Sequence, residues 1–598
     1  MARRDSPFEE GPTDDLFRAD SDVEPGESNV NVAGFDIQPI VFGVSAGIIL
    51  LFIVYTALAP EQAGEYYGMV FDWINANFGW FYIIAANIFI VAVLYFAFSK
   101  YGNIRLGGPG ADKEFSDTSW IAMLFSAGMG IGLMFWSVGE PMWHIADPLF
   151  GVEGLDYGHL DDTGEYVIGQ PEAAAEVATA ITFFHWGFHP WAIYGVVGLA
   201  LAFFAFNRGL PLTFRSVFWP ILGDRIYGPW GHLVDILAVF ATVFGLGTSL
   251  GLGALQVNAG LSFLGDEVFG LAVPSGAVSQ ILIIAAITAF ATVSVYLGIH
   301  KGIRILSNVN VILMFVLMLT VLVVGPTLFL LGLIPQAIGL YFDEFFTLAL
   351  YTEAFGGAAG AQGYEGFGAA WTVFYWGWWI AWSPFVGMFI ARISRGRTVR
   401  EFALGVLILP VIFSFVFIGI MGGTALHAQI EGATIMETIF ETGQEEIAMF
   451  QMFLEIPLTA ILSAIAVILV VTFFVTSSDS GSLVLGHLSS GGKHRAPRNQ
   501  RVSWAIIEGA VAAVLLLAGG LAALQTASIT AGLPFAAVLL IMCFSMYRGL
   551  SNEYEILESD EFAERIEELE RDTDVVVRKT GAGVVSHIED DRTDEPGD

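Results

Sequence analysis

Twelve stretches of the chain are apolar over about 18 residues or more, the length that a helix needs to cross the hydrocarbon core of a bilayer. They lie at 39–59, 79–98, 119–142, 174–206, 232–264, 279–299, 306–333, 368–393, 402–424, 456–487, 502–525 and 527–547. With 55% hydrophobic and 14% charged residues, the composition is not that of a soluble protein. The sequence therefore predicts an all-α polytopic membrane protein with twelve transmembrane helices, numbered spans 1 to 12 in chain order.

Basic residues alternate from loop to loop. Every Lys and Arg between Lys100 and Arg501 lies in a loop after span 2, 4, 6, 8 or 10, and the intervening loops contain none. Cytoplasmic loops carry the excess of basic residues, so we expect these loops and both termini on the cytoplasmic side of the cell membrane. The expected division is an acidic N-terminal tail at 1–34, a twelve-helix domain at 35–548 and an acidic C-terminal tail at 549–598.

The chain has a formal net charge of −34, and its excess of acidic residues covers the predicted outer loops and both tails. Runs of acidic residues are usually solvated surfaces or tails. Because the excess here covers every aqueous surface, we interpret it as an adaptation to very high salt, as in halophiles. It argues against nucleic-acid binding and against a polybasic patch for lipid headgroups.

Span 8 carries four tryptophans, Trp376, Trp378, Trp379 and Trp382, close to its midpoint. Tryptophan in membrane proteins usually lies at the headgroup level, where its N–H finds a partner. A cluster at mid-membrane favours a cage for a cation without hydrogen-bond donors, such as a quaternary ammonium group. The alternative is tight helix packing.

Span 3 contains three alternating glycines, Gly128, Gly130 and Gly132. Each costs a helix interior about 1 kcal/mol relative to alanine, so together they favour an unwound segment in mid-membrane. In transporters such a segment directs N–H groups at an anionic substrate group and carbonyls at a cation. Close helix packing through small residues is the alternative.

The polar run from Thr476 to Ser482 in span 10 is the second feature of this kind, and we expect span 3 and span 10 to form a pair of broken helices. Adjacent hydroxyl oxygens are suitable ligands for a small cation, although they can also bond back to helix carbonyls. The chain contains no H-E-x-x-H, P-loop or G-x-S-x-G motif, so we expect no enzyme and no catalytic residues. A channel would be expected to offer a ring of charges or a carbonyl filter.

Four strings resemble the betaine/carnitine/choline transporter (BCCT) family: GMGIGLMFWSVGEP at 128–141, HWGFHPWAIY at 185–194, WTVFYWGWWIAWSPFVGMFIARISRGRT at 371–398 and FFVTSSDSG at 473–481. The resemblance covers about 35–548. It implies a LeuT-type core of two inverted five-helix repeats, spans 3–7 and 8–12, preceded by two extra helices. It also implies a homotrimer surrounded by membrane lipid.

The resemblance also implies a substrate site. Its aromatic box would consist of Trp186, Trp191 and Tyr194 of span 4 and Trp379 of span 8, with Trp378 and Trp382 flanking it. The glycine segment Gly128, Met129, Gly130, Ile131 and Gly132 would bind the substrate carboxylate. Relatives that carry choline tend to have an acid at the position of Gly132, so glycine betaine, a zwitterion, ranks first here.

Sodium is the coupling ion that the resemblance implies, and no cofactor is expected. The ligands of the shared sodium site would be the carbonyls of Ser126, Met129 and Phe473 and the hydroxyls of Thr476 and Ser477. A second site would use Thr242 and Phe385. Leu246 stands where relatives have a second threonine, which puts that site in doubt; Thr248 and Ser249 are the nearby hydroxyls.

Other polar residues have weaker claims. Glu140 and Asp479 are intramembrane acids, for which a functional and a structural role are weighed equally because each lies toward a span end where solvation is plausible. His185 and His189 are spaced four apart as metal ligands can be, but the sequence offers no third ligand. Residues 553–574 have the spacing of a short amphipathic helix.

The function expected from these features is sodium-coupled import of glycine betaine, or of a related zwitterionic quaternary ammonium compound, for osmoprotection by alternating access. The alternatives are a sodium-independent carnitine/betaine exchanger, a choline transporter that takes a cationic substrate and, of a different class, a membrane sensor that does not transport.

Overall fold

The structure is a computed structural model that describes residues 13–21, 23–146, 159–160, 166–167, 171–297, 300–354, 366–493, 496–572, 575–579 and 585–590. Its α-helices are α1 Pro39–Leu58, α2 Pro60–Phe98, α3 Asp117–Gly128, α4 Ile131–Ala146, α5 Pro171–Trp186, α6 Phe188–Phe206, α7 Trp219–Leu222, α8 Pro229–Phe269, α9 Ala277–Leu297, α10 His300–Val324, α11 Thr327–Asp343, α12 Phe345–Ala349, α13 Phe374–Arg392, α14 Val399–Ile430, α15 Ile435–Thr442, α16 Ala448–Leu454, α17 Thr459–Ser489, α18 Arg498–Leu557 and α19 Asp560–Asp572. A π-helical segment, Gly368–Val373, leads directly into α13.

Shorter elements connect the long helices. Turns of 3₁₀-helix lie at Asp14–Leu16, Lys100–Asn103, Phe214–Phe218, Gly223–Tyr227 and Glu445–Ile447. Three antiparallel hairpins pair β1 Val30–Val32 with β2 Phe35–Ile37, β3 His159–Leu160 with β4 Tyr166–Val167, and β5 Val575–Lys579 with β6 Val585–Asp590.

Apolar helices dominate the molecule. Within the described residues, nine helices are long and apolar enough to cross a membrane, or ten if the bent pair α3 and α4 is one span. The predicted class, an all-helical polytopic membrane protein, is confirmed, while the number of twelve spans remains a prediction. Helix α13 falls outside the nine because its tryptophans and tyrosine are less apolar than the aliphatic residues of the other spans.

The break predicted in span 3 is present. Helix α3 ends at Gly128, α4 begins at Ile131, and their axes meet at 57°. Met129 between them is extended, with φ −92° and ψ 128°. The glycine-rich segment therefore interrupts the helix in the middle of the predicted span, and this prediction is confirmed.

The break predicted in span 10 is wrong, because α17 is continuous from Thr459 to Ser489. Its hydroxyl groups bond back to its own carbonyls without interrupting the helix: Thr476 donates to Thr472 O at 3.1 Å and Ser482 donates to Asp479 O at 2.9 Å. An interruption that the sequence did not indicate lies in span 4, where Gly187 separates α5 from α6.

Spans 11 and 12 form one element, α18, which is interrupted at Gly519 and Gly520. Gly520 has φ 57°, a left-handed conformation that glycine adopts without strain. The boundary predicted near residue 526 is therefore wrong by about two helical turns. Other boundaries also differ: α2 begins well before the predicted residue 79, and predicted span 7 crosses the gap between α10 and α11.

Both ends of α18 lie at the same end of the molecule. Near its start, Gln500 donates to the Ser489 hydroxyl at 2.8 Å. Near its end, Ser545 donates to a carbonyl of loop 207–218 at 2.5 Å, and the same loop packs against Gly492. The helix therefore reverses at its paired glycines, and its two halves are antiparallel.

The terminal segments pack on the helical body. Of the amphipathic helix predicted at 553–574, residues 560–572 form α19, in which Phe562 and Ile566 are buried, whereas 553–557 belong to the end of α18. The ring of Phe562 contacts Phe17 edge to face, with centroids 5.7 Å apart. Of the predicted domain boundaries, the one after residue 34 lies in the turn between β1 and β2, and the one after residue 548 lies inside α18.

Candidate substrate and cation site

The interrupted helix pair α3/α4 faces α5, α6 and α13 through its glycines. A Cβ atom at Gly132 would overlap the ring of Trp378 and lie 3.1 Å from Cη2 of Trp186. A Cβ atom at Gly128 would lie 3.3 Å from Cζ2 of Trp191. The absence of side chains therefore lets the tryptophan rings approach the unwound backbone directly.

The four residues of the expected aromatic box are in one continuous ring cluster. Trp186 meets Trp379 edge to face at 4.8 Å between centroids, Trp379 meets Tyr194 at 6.3 Å, and Tyr194 meets Trp191 at 5.3 Å. All four are buried. Their sequence positions fall on three helices, since Gly187 separates Trp186 on α5 from the other two residues of span 4. The four rings are defined below as the aromatic cluster.

The remaining tryptophans of span 8 have different surroundings. Trp378 stacks on Trp379 at 4.6 Å, and Trp382 lies 6.3 Å from Tyr194. Trp376 packs against His189 in a stacked arrangement at 5.0 Å, away from the cluster. The alternative of simple helix packing therefore holds for Trp376.

Hydrogen bonds fix the rings of Trp378 and Trp379, whereas two other polar groups beside them have no partner among the described residues. Trp379 Nε1 donates to the carbonyl of His185 at 3.1 Å, and Trp378 Nε1 donates to the Ser249 hydroxyl at 3.3 Å. The Tyr194 hydroxyl and Trp382 Nε1 are buried and have no hydrogen-bond partner among the described residues. These two polar atoms are available to a ligand at the edge of the aromatic cluster.

Glu140 holds one side of the cluster in place. Its Oε2 accepts from Trp186 Nε1 at 3.0 Å and from the Tyr375 hydroxyl at 2.5 Å, while Oε1 contacts His185 Nδ1 at 2.6 Å and His144 Nε2 at 3.2 Å. The carboxylate is fully buried, so the expectation that it is solvated near a span end is wrong. The reason is that four polar side chains from three helices replace water around it.

Tyr375 is a site residue that the sequence analysis did not identify. Its ring stacks near Trp379 at 5.7 Å, and its hydroxyl donates to Glu140. The available signal was its position four residues before Trp379 on the same helical face. Its proximity to Glu140 depends on tertiary structure, which the spacing of residues in the sequence does not show.

His185 and His189 do not form the pair of metal ligands that their spacing allows. His189 Nε2 lies 3.4 Å from Asn87 Oδ1, whereas His185 faces Glu140 and His144. Ligand atoms of these last three residues lie within 4.8 Å of one another. Glu140 already contacts both histidines, and His185 Nε2 also lies 3.0 Å from the Thr372 hydroxyl, so we assign the group to the support of the cluster.

A cavity of about 210 Å³, called the inner cavity below, lies next to Trp382 at the edge of the aromatic cluster. It is lined by all five predicted sodium ligands, which are Ser126, Met129, Phe473, Thr476 and Ser477. Trp382, Phe385 and Arg392 also contribute to its wall. The structure thus places the carbonyl-bearing break of α3/α4 opposite the hydroxyls of α17.

Internal hydrogen bonds already use part of this oxygen set. The Ser126 carbonyl accepts from the Met129 N–H at 3.3 Å, and the Phe473 carbonyl accepts from the Thr476 hydroxyl at 3.2 Å. The Ser126 carbonyl lies at the end of α3 and has a second lone pair for a cation. The Phe473 carbonyl lies inside α17 and also accepts the backbone N–H four residues later, so a cation there would displace the Thr476 hydroxyl. Asp479, the other acid weighed above, is buried and lies 3.4 Å from Arg501 instead of being solvated.

The residues of the doubtful second sodium site do not form a set of oxygens. Thr242 donates to its own helix at Ala238 O, 2.7 Å away, and Leu246 is buried against Gly481. Helix α8 remains regular here, although unwinding was the way in which Thr248 or Ser249 could replace the missing hydroxyl.

Both replacement hydroxyls are engaged elsewhere. Thr248 contacts Leu524 O and the Ser528 hydroxyl at 2.9 and 2.7 Å, and Ser249 accepts from Trp378. Phe385 lines the inner cavity and contacts Trp382 at 5.4 Å.

The sequence of the chain is similar to those of several membrane transporters. A family profile described as "BCCT, betaine/carnitine/choline family transporter" matches residues 40–555. Glycine betaine transporter 1 of Vibrio parahaemolyticus is 46% identical over 552 residues, covering 90% of this chain and 99% of the relative. A glycine betaine/proline/choline transporter of the same organism is 42% identical, covering 89% and 94%. A probable glycine betaine transporter of Desulfitobacterium hafniense is 40% identical, covering 86% and 98%.

Proposed function

The chain belongs to the betaine/carnitine/choline transporter family, and on that premise we propose that it imports glycine betaine, or a related zwitterionic quaternary ammonium compound, in symport with sodium. The import would serve osmoprotection. The observation that carries the proposal is the aromatic cluster beside the uncharged glycine segment. Three of the relatives compared above carry glycine betaine in their names.

The aromatic cluster suits the trimethylammonium end of the substrate. A quaternary ammonium ion has no N–H to donate, so it is bound through the negative faces of aromatic rings within about 6 Å of its centre. Desolvated contacts of this kind contribute about 2 kcal/mol each. The aromatic cluster offers four such rings, all buried: Trp186, Trp191, Tyr194 and Trp379.

The carboxylate end would meet the interrupted helix. The N–H groups around Met129 are released from regular helical bonding at the break, and an N-terminal helix end attracts negative charge. Gly130 and Gly132 put no side chain and no charge beside this backbone. An acid at that position would repel a substrate carboxylate, which favours a zwitterion over choline.

Sodium coupling is supported by the oxygen atoms around the inner cavity. Carbonyl oxygens from a helix break and hydroxyls from a facing helix are hard ligands that suit a small cation. The set adjoins the glycine segment through Met129, so cation and carboxylate would stabilise the same backbone. This shared segment gives a physical reason for coupled binding.

The transport cycle that we propose is alternating access in a LeuT-type arrangement of twelve spans, with spans 3–7 and 8–12 as inverted repeats and both termini in the cytoplasm. The assembly proposed from the family is a homotrimer. The acidic surface is proposed as an adaptation to high salt.

One observation favours a second candidate. Leu246 replaces a hydroxyl-bearing residue of the second sodium site, and the neighbouring hydroxyls are engaged elsewhere. A chain that had lost sodium coupling altogether would exchange carnitine or betaine without an ion gradient. The five candidate sodium ligands around the inner cavity make this the less favoured function.

Competition in proteoliposomes tests the substrate class. Uptake of radiolabelled glycine betaine is measured against an excess of choline, which lacks the carboxylate, and of glycine, which lacks the methyl groups. The proposal predicts strong inhibition by unlabelled betaine and weak inhibition by the other two. Equal inhibition by choline would favour the choline transporter, and binding without any flux would favour a sensor.

A further inference from the structure

Glu508 is a carboxyl group buried in the middle of the first half of α18. It lies about 15 Å along the helix from both Arg498 and Gly519, at 1.5 Å per residue. Its side chain is fully buried. An ionisable residue at this depth in a membrane helix is expensive to keep and is a functional candidate for that reason. Neither the aromatic cluster nor the inner cavity includes it.

One oxygen of this carboxyl has a partner and the other has none among the described residues. Oε2 accepts from the Ser478 hydroxyl at 3.0 Å, while Oε1 is buried without a hydrogen bond. Gly481 makes the space for Oε1, since a Cβ atom there would lie 3.1 Å from it. The same Cβ atom would overlap Leu246, so an apolar side chain from α8 closes the other side of this space.

Among the residues that the structure describes, no basic group faces the carboxyl from the helices that pack on it. The charged group of α17 that acts on it is Asp479, an acid that is already paired with Arg501. Helix α8 presents Leu246 and Gly247 at this level, and α9 presents the Thr288 hydroxyl beside Gly509. A bare carboxylate with one hydrogen bond is unstable in such surroundings, so the group must bind a cation.

We propose that Glu508 is a proton-binding site that takes up and releases one proton in each transport cycle. Sodium needs several oxygen ligands at once, whereas this space offers only the carboxyl itself and the Ser478 hydroxyl. A proton needs only the free lone pair of Oε1. Binding forms an O–H bond and a neutral carboxylic acid, and release returns the proton to water and restores the carboxylate.

The inner cavity provides a route for release. Ser480, which precedes Gly481 on α17, lines this cavity. Helix α17 therefore borders both the cavity, through Ser480, and Glu508, through Gly481. A small displacement of α17 against α18 would open Oε1 to water in the cavity, which couples the protonation of Glu508 to movement of the helix that carries Thr476.

The inference rests on the proposed transport of glycine betaine, and the test separates the two. Full-length protein is reconstituted in vesicles that contain a pH-sensitive dye, with the membrane potential clamped and the sodium gradient fixed. Addition of betaine should acidify the lumen. An inward gradient of one pH unit should raise steady-state betaine accumulation by about tenfold if one proton moves with each substrate.

Glu508→Gln keeps the shape of the side chain but cannot exchange a proton, so betaine should no longer acidify the lumen. The matched control is Glu553→Gln, which changes a second buried glutamate of α18 that is paired with Arg208 at 2.6 Å. That variant should retain acidification. Betaine uptake by the wild type without any proton movement would overturn the inference and leave the proposed function standing.

Infrared spectroscopy needs no substrate, so it tests the inference even if a variant does not transport or the substrate is not glycine betaine. A neutral carboxylic acid and a carboxylate absorb at different infrared frequencies. The difference spectrum between wild type and Glu508→Gln at neutral pH should contain the band of a protonated acid. A carboxylate band in its place, or loss of acidification in Glu553→Gln as well, would contradict the proposal.

Discussion

The indole N–H of Trp186 donates to Oε2 of Glu140 at 3.0 Å, and this bond joins one wall of the aromatic cluster to the interrupted helix. Both side chains are buried. The orientation of the Trp186 ring therefore depends on a carboxylate that makes no expected contact with the substrate.

We expect Glu140→Gln to weaken betaine binding about tenfold, because an amide has one acceptor oxygen for the donors that now share two and leaves a buried donor unsatisfied. Tryptophan fluorescence titration measures the dissociation constant. Glu176→Gln, on the same helix as Trp186 but bonded to Gln336, is the control and should bind normally. An unchanged constant in Glu140→Gln would show that the carboxylate does not position the ring.

Trp379→Leu should raise the dissociation constant for betaine by at least about thirtyfold, since it removes one desolvated cation–π contact worth about 2 kcal/mol. Leucine keeps the segment apolar, so the protein should still fold and elute as the same oligomer. Trp80→Leu is the control for the loss of one fluorescent ring. Trp80 is 52% exposed, and its ring contacts Phe81 and not the aromatic cluster. Normal affinity in Trp379→Leu would reject the aromatic cluster as the substrate site.

Replacing both Thr476 and Ser477 by alanine should raise the sodium concentration for half-maximal uptake by at least about tenfold, because each lost oxygen ligand of a buried cation costs about 1.5 to 3 kcal/mol. Uptake is measured against sodium at fixed betaine. Thr472→Ala is matched to it, since Thr472 bonds back to Ile468 O in the same way but does not line the cavity. Equal sodium dependence in the double variant and this control would rule the site out.

The position of Leu246 predicts a Hill coefficient for sodium near one. Its side chain packs on Gly481 and offers no oxygen, and Thr242 is bonded to its own helix. Thr242→Ala should therefore leave the sodium dependence of uptake unchanged. A wild-type coefficient near two that falls to one in this variant would show that a second sodium site survives.

The acidic surface predicts a stability that rises with salt. At about 0.1 M salt the screening length is about 10 Å, which leaves much of the repulsion within a charge of −34, whereas about 1 M salt shortens it to about 3 Å. The thermal unfolding midpoint in detergent should increase over this range of potassium chloride. Sucrose at the same osmolarity is the control, and an equal gain in sucrose would show that charge screening is not the cause.

Local composition was sufficient for some features and not for others. The break at Met129 follows from three closely spaced glycines, each of which destabilises the same helix. The polar run around Thr476 gave a similar signal, yet α17 remains helical and the hydroxyl of Thr476 bonds to a carbonyl one turn earlier. Whether such residues break or support a helix depends on where their side chains point, which composition does not reveal.

Contacts between distant segments required the structure. Glu140 and Trp186 are separated by 46 positions, and the environment of Glu508 depends on Gly481 and Leu246 from two other helices. The spacing of Trp186, Trp191 and Tyr194 did not show that Gly187 interrupts the helix between them. Residue types indicated the chemistry of the site, and tertiary packing decided which groups support it.

The accumulation of radiolabelled glycine betaine in proteoliposomes under an inward sodium gradient tests the central claim most directly. The account predicts that wild-type vesicles concentrate betaine above the external level only while the gradient lasts, and that vesicles with Trp379→Leu do not. Equilibration to the external level at the same rate in potassium and in sodium would contradict sodium-coupled import.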